Sequence, residues 1–171
     1  MLEREMSFKD AYLNFWRKAF VMKGRARRKE YWFPVLVHIA LSIVLSLLAG
    51  FIDSSMGRNT EDLGSVSQVV QGLTGLILLV PNFTVGARRL QDININGWVN
   101  LVPIIVSLVG LGAIIFSVLQ EAANPAGVVT TSLLVLAVLL VMSLVFIIMF
   151  ALDGTRGANK YGEDPKNRVK Y

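Results

Sequence analysis

The sequence predicts an all-α membrane protein: four transmembrane helices with both termini in the cytoplasm, preceded by a short amphipathic interfacial helix. Three observations carry this reading. Hydrophobic residues make up 54% of the 171 residues and charged residues 17%, where an average soluble domain carries roughly 25% charge. Too little charge remains to cover a soluble surface. The charges are clustered, leaving residues 31–52, 63–87, 93–120 and 122–152 without any. Each stretch exceeds the ~20 residues that cross ~30 Å of hydrocarbon. Finally, 16 of the 17 Lys and Arg fall in residues 1–30, at 88–89 and after Asp153, and only Arg58 falls elsewhere. The positive-inside rule then places both termini and the middle connection in the cytoplasm. The chain has no cysteine and one histidine, which excludes thiolate sites, disulfide frameworks and His-rich metal sites. No metal site and no cofactor is expected.

The parts follow in order. Residues 1–30 read as a cytoplasmic amphipathic helix and basic segment, 31–152 as the transmembrane domain, and 153–171 as a cytoplasmic Gly-rich tail. Within the first part, residues 7–20 predict a helix with Ser7 as N-cap and Asp10 as its capping partner. Phe8, Tyr12, Phe15, Trp16 and Ala19 share one face, and Lys9, Asp10, Asn14, Arg17 and Lys18 take the rest. Such a helix suits the headgroup boundary; packing on the protein's own cytoplasmic ends is the alternative, and both can hold together. Arg25, Arg27, Arg28 and Lys29 then stand directly before the first span, with Tyr31 and Trp32 as interfacial aromatics. They fit anionic headgroups. With no soluble reading domain and the membrane adjacent, nucleic acid is not expected as a partner.

The first, third and fourth spans are long runs of Val, Leu and Ile. The second opens with Ser65, Ser67, Gln68 and Gln71, and its apolar part runs from about Val69 to Val85. Pro81 is expected to kink it. Residues 88–92 read as a loop carrying Arg88 and Arg89. Asn94 and Asn96-Gly97 read as turn residues, Trp98 as an interfacial anchor, and Pro103 as an early residue of the third span. Three glycines, an Asn and an Asp-Pro step between Asp153 and Pro165 predict a turn-rich structured loop. Inside the membrane the polar candidates are His38, the one ionisable group in a span, and Asn82. His38 is expected to hydrogen-bond a neighbouring helix or interfacial water. Ser42, Ser46 and Gly50, with Gly72 and Gly75, and Gly110 and Gly112, suggest close helix packing. The fourth span is the one expected to face lipid.

Three motifs now stand in order around the spans: Gly-Arg-x-x-Arg-x-Glu-Tyr-Trp at Gly24–Trp32, Arg-Arg-Leu-x-Asp with a following Gly-Trp at Arg88–Trp98, and Gly-x-x-Gly-x-Asn-x-Tyr-Gly-x-Asp-Pro at Gly154–Pro165. Together they resemble a family of bacterial inner-membrane proteins catalogued as domain of unknown function 805, over roughly residues 8–166. The resemblance implies a small multi-pass protein of the bacterial inner membrane and supplies no catalytic residues. It also implies a histidine before the Asp of the middle motif, where this chain has Gln91.

All three motifs fall on the predicted cytoplasmic face. Arg25, Arg27, Arg28, Arg88 and Arg89 can meet Glu30, Asp92, Asp153 and Asp164 there, with Asn159 in the same block. Two readings stay open. One is an ion-pair network that locks helix ends, a task suited to bidentate Arg–carboxylate geometry. The other is an anion site for a lipid headgroup, a nucleotide or a phosphorylated partner, helped by Gly-rich turns. The glycine spacing is not that of a P-loop. The function expected is a non-enzymatic interaction, scaffold or regulatory protein, its partners anionic lipids and a membrane protein or a second copy. A small oligomeric channel or transporter is the alternative. An enzyme acting on lipids would have to use Asp92, Asp153 and Asp164, whose spacing matches no catalytic pattern.

Overall fold

The computed structural model describes residues 6–120 and 125–166. The predicted link around Glu121 and the ends of the two cytoplasmic segments, 1–5 and 167–171, lie outside the described residues. Five α-helices follow one another among the described residues: α1 (Phe8–Arg17), α2 (Arg28–Ser55), α3 (Val66–Asp92), α4 (Val102–Leu119) and α5 (Pro125–Ala151), with a 3-10 turn at Gly97–Leu101 before α4. Four of these segments are long and apolar enough to cross a membrane: Arg28–Ser55, Val66–Asp92, Gly97–Leu119 and Ala126–Ala151.

Each boundary has a local cause. Ser7 caps α1 by accepting from the Asp10 amide, and α1 ends at Arg17, three residues short of the expected 20. The α2 helix begins at Arg28, where the Glu30 carboxylate reaches back to accept from the Arg27 amide at 3.3 Å. At its far end Ser65 caps α3. The buried Asp53 carboxylate there also accepts from the Val66 and Ser67 amides, at 2.7 and 2.9 Å. An acidic group at a helix N-terminus satisfies orphan donors and opposes the positive end of the dipole. The α3 helix runs through Pro81 and continues to Asp92. Residues 88–92 are therefore helix and not the loop that their charge suggested. Arg88 and Arg89 are the first charges after a long neutral run, but both are buried inside the protein. Pro103 takes the first turn of α4.

The α2 and α3 helices pack as one antiparallel pair and α4 and α5 as another. Gly110 lets α4 approach α5, since a Cβ there would press on Val135 Cγ1. Gly72, Gly75 and Gly112 do not serve the close packing expected of them: nothing lies within 4 Å of their Cβ positions. Gly50 meets only the Thr60 side chain of the following loop. Lipid-sized apolar surface is exposed on all four long helices, not on α5 alone. The tail from Asp153 is non-helical, as its composition implies, and closes on itself through the Asn159–Gly162 bridge.

Candidate functional site

The three sequence motifs meet at one end of the helices, and each satisfies helix-end groups of the others. The last carbonyls of α5 lack intrahelical partners. Arg89 Nε donates to Phe150 O at 3.0 Å and its Nη2 donates to Leu152 O. Arg28 Nη1 donates to Ala151 O at 3.3 Å, and Trp32 Nε1 to Phe150 O at 3.2 Å. Two cations thus sit at the negative end of the α5 dipole. The end of α3 is treated likewise. The Ala26 amide donates to Arg88 O, Asn159 Nδ2 to Gln91 O, and the Thr155 amide to Asp92 O. Near hydrocarbon, where water is scarce, every such group needs a protein partner.

The centre of this end is Asp92. Its carboxylate accepts from Arg25 Nε at 2.8 Å and from Arg89 Nη1 at 2.5 Å. Arg25 also donates to the carbonyls of Gly157 and Thr155, at 2.7 and 2.5 Å. It lies 3.9 Å from Asp164 Oδ1. Arg25, Arg89 and Asp92 are 7%, 0% and 3% exposed, so these are charge-assisted bonds in a shielded setting. Gly154 passes so close that a Cβ would overlap the Asp92 carboxylate. Asp164 in turn accepts from the Gly157 and Lys166 amides, which holds the tail loop in shape.

The remaining predicted residues stand outside this centre. Arg27 Nη2 donates to Pro165 O. Arg28 pairs with Asp153 at 2.9 Å on the exposed rim. Arg88 lies on the α1 side, with Nη1 3.9 Å from Glu30 Oε2, itself 3.9 Å from Lys18 Nζ. The Arg88 guanidinium has no hydrogen-bond partner among the described residues. Gln91, at the position where the resemblance implies histidine, is buried with its amide against Gly97.

The two intramembrane candidates separate. His38 is buried, and neither ring nitrogen makes the expected hydrogen bond among the described residues. Instead the rings of Tyr12, Phe15 and Trp16 enclose it at 5.6, 4.9 and 5.9 Å between centroids. Asn82 is exposed and lines a cleft of about 670 Å³ between the helix pairs, together with Ser42, Ser46, Thr74 and Ser107. Sequence reasoning missed Asp53, which had marked only the end of a neutral run. It also missed Thr84, whose hydroxyl donates to Ala19 O at 2.9 Å and ties the exit of α1 to α3. Both pair with residues remote in sequence, so no local pattern signals them.

A family model described as "Protein of unknown function (DUF805)" matches residues 19–163. Of the three motifs whose meeting defines this end, the first two lie within that range and the third does as far as Glu163. The chain belongs to this family. Among its relatives in Escherichia coli (strain K12), Inner membrane protein YhaH is 32% identical over 108 residues, covering 63% of this chain and 84% of that protein. Uncharacterized protein YiiR is 31% identical over 154 residues, covering 89% and 90%. Inner membrane protein YhaI is 24% identical over 156 residues, covering 91% and 94%. No solved structure matches. With four spans of sufficient length and apolarity, the chain is an integral inner-membrane protein of the DUF805 family.

Proposed function

We propose that this DUF805 protein is a non-enzymatic interaction, scaffold or regulatory protein. Both termini lie in the cytoplasm, and its basic cytoplasmic face holds anionic headgroups and a membrane-protein partner. The observation that carries the reading is a division of labour among the cations. Arg25 and Arg89 are buried and committed to Asp92 and to helix-end carbonyls. Lys9, Arg17, Lys23, Arg156 and Lys160 are exposed. Phe8, Trp16 and Phe20 stand exposed beside the first three of these, the mixture that suits a headgroup boundary. The α1 helix thus lies in the interface with Phe15 and Ala11 turned to the protein. The carboxylates an enzyme would need are engaged: Asp92 by two arginines, Asp153 by Arg28 and Lys166.

The test is native mass spectrometry of protein released from membranes containing phosphatidylglycerol. Each cation near an anionic surface contributes about 1 kcal/mol. Changing Lys9, Arg17, Lys23, Arg156 and Lys160 to Gln should therefore strip the retained anionic lipid without lowering thermal stability. Unchanged lipid retention would defeat the proposal. A second reading, a small oligomeric channel or transporter, is favoured by the polar cleft at Asn82. It predicts solute flux in liposomes that changes with Asn82→Leu.

A further inference from the structure

We propose that Arg88 and Lys18 hold a phosphate group, supplied by a lipid headgroup or by a small soluble phosphate. The site deepens the reading of this end as an anion-holding face, and rests on that reading for the side of the membrane it faces. It uses none of the exposed cations named there. Arg88 is 1% exposed, and its Nε, Nη1 and Nη2 have no hydrogen-bond partner among the described residues. Arg25 and Arg89 show what a structural arginine does at this end: each meets Asp92 and main-chain carbonyls. Arg88 meets neither. A buried polar group left unmatched is costly, and one that persists in a folded protein calls for an explanation such as a bound ion.

The surroundings of Arg88 are cationic on balance. Glu30 Oε2 lies 3.9 Å from Arg88 Nη1 and 3.9 Å from Lys18 Nζ. A charged N–H···O bond is about 2.7–2.9 Å long, so neither cation bonds to that oxygen. Sharing it as a neighbour, the two cations are at most twice 3.9 Å apart. The other Glu30 oxygen accepts from the Arg27 amide. Two positive charges thus flank one negative charge. The first turn of α2, where Glu30 stands, adds the positive end of a helix dipole. Lys18 is the way in. Its side chain is 43% exposed, it caps the C-terminus of α1, and Phe20 two residues on is exposed.

The unmatched groups state the ligand. Guanidinium and ammonium groups donate and cannot accept. The unmatched acceptor beside them is Glu30 Oε2. Waters that accept from these donors bring donors of their own, more than that one oxygen can receive. A phosphate brings several acceptor oxygens and negative charge. A carboxylate is taken up whole by one guanidinium fork, whereas a phosphate keeps an oxygen for Lys18. Glu30 opposes any anion placed here, and that opposition supplies a test.

The test uses delipidated protein in neutral detergent and phosphate-free buffer. Native mass spectrometry reads bound mass, and the thermal unfolding midpoint reads stability. Inorganic phosphate is the soluble probe, with acetate as its control. Phosphatidylglycerol is the lipid probe, with diacylglycerol as its control. One phosphate per chain should bind and raise the midpoint, and the controls should do neither. Arg88→Met and Lys18→Met should each weaken binding about tenfold or more. Lys18 is part-exposed, so its variant keeps the test open if Arg88→Met does not fold. Glu30→Gln should tighten binding severalfold by removing the like charge, where a purely structural Glu30–Arg88 pair would only lose stability. A response to inorganic phosphate assigns a soluble ligand, and a response to phosphatidylglycerol alone assigns a headgroup; either upholds the site when the Arg88 and Lys18 variants lose it. The variant with Lys9, Arg17, Lys23, Arg156 and Lys160 changed to Gln keeps both site residues and should still bind the added probe. If that variant keeps its surface lipid, the exposed face is defeated and this site stands. Equal stabilisation by acetate overturns the proposal, as does probe binding that Arg88→Met and Lys18→Met leave unchanged. No response to either probe also overturns it, and leaves water as the partner of Arg88.

Discussion

Asp92 shows how a single residue can be structural and charged at once. Two guanidiniums and a glycine backbone surround its carboxylate. Removing one partner of a buried pair leaves the other unpaired, at a cost of about 3–5 kcal/mol. Asp92→Asn should therefore lower thermal stability severely in detergent. Gly154→Ala should act at the same point, since its methyl group displaces the carboxylate. The double variant should lose less than the sum of the two, because both break one contact set. Thermal unfolding followed by tryptophan fluorescence reads all three, and simple additivity would show that Gly154 acts elsewhere. Arg88 is the contrast. It is buried, but among the described residues its one charge partner is Glu30 at 3.9 Å. Arg88 makes no hydrogen bond among the described residues, and without it Glu30 keeps the Arg27 amide and Lys18 Nζ at 3.9 Å, so less is left unpaired than when Arg89 is removed. Arg88→Met should thus be tolerated where Arg89→Met is not, and equal destabilisation by the two would contradict this ranking.

At the scale of the element, α1 carries two apolar surfaces. Ala11, Phe15 and Ala19 face the protein, where Phe15 meets His38 on α2 and Ala19 O meets Thr84 on α3. Phe8 and Phe20 are exposed, and Trp16 lies at the edge between the two. With Trp32 and Trp98 changed to Phe, Trp16 should be quenched most by lipids brominated near the headgroup and least by lipids brominated near the chain end. The absence of quenching at any depth would place α1 off the membrane. The presence of α1, its Ser7 cap and the place of Pro103 early in α4 were legible in the sequence, because helix caps and apolar period are local. So were the four spans, which rest on composition and length. The inward role of Ala11 was not, because an alanine gives no amphipathic signal until its neighbour is known. Nor was the helical state of Arg88 and Arg89. A charge marks the end of a span only when the protein itself cannot shelter it, and here the carbonyls of Phe150 and Leu152, with Asp92 one turn on, take up Arg89. The motifs were visible as patterns, but which arginine meets which acceptor is set by how the helices pack.

At the scale of the whole molecule, the structure fixes which ends lie together and leaves the side of the membrane to charge. Arg25, Asp92 and Thr155 touch one another, so the N-terminal segment, the connection after α3 and the tail occupy one end. The loop from Asp53 to Ser65 occupies the other ends of α2 and α3. Of the 14 Lys and Arg among the described residues, 13 belong to the first end and Arg58 alone to the second. A bias of this size, carried by short segments next to the spans, supports the proposal that the first end lies in the cytoplasm. The chain contains no cysteine, so single reporters can be placed without altering a native thiol. Asn59→Cys sits in an exposed loop and Lys160→Cys in an exposed part of the tail. In intact cells with a permeable outer membrane, a membrane-impermeant maleimide should label Asn59→Cys at once. Lys160→Cys should be labelled only after the inner membrane is opened. The reverse pattern would invert the molecule, put the arginine end outside, and remove the anionic cytoplasmic leaflet as the surface its exposed cations meet. Labelling of both positions in intact cells would mean that the protein inserts in two orientations, an outcome that a 13-to-1 cation bias makes costly.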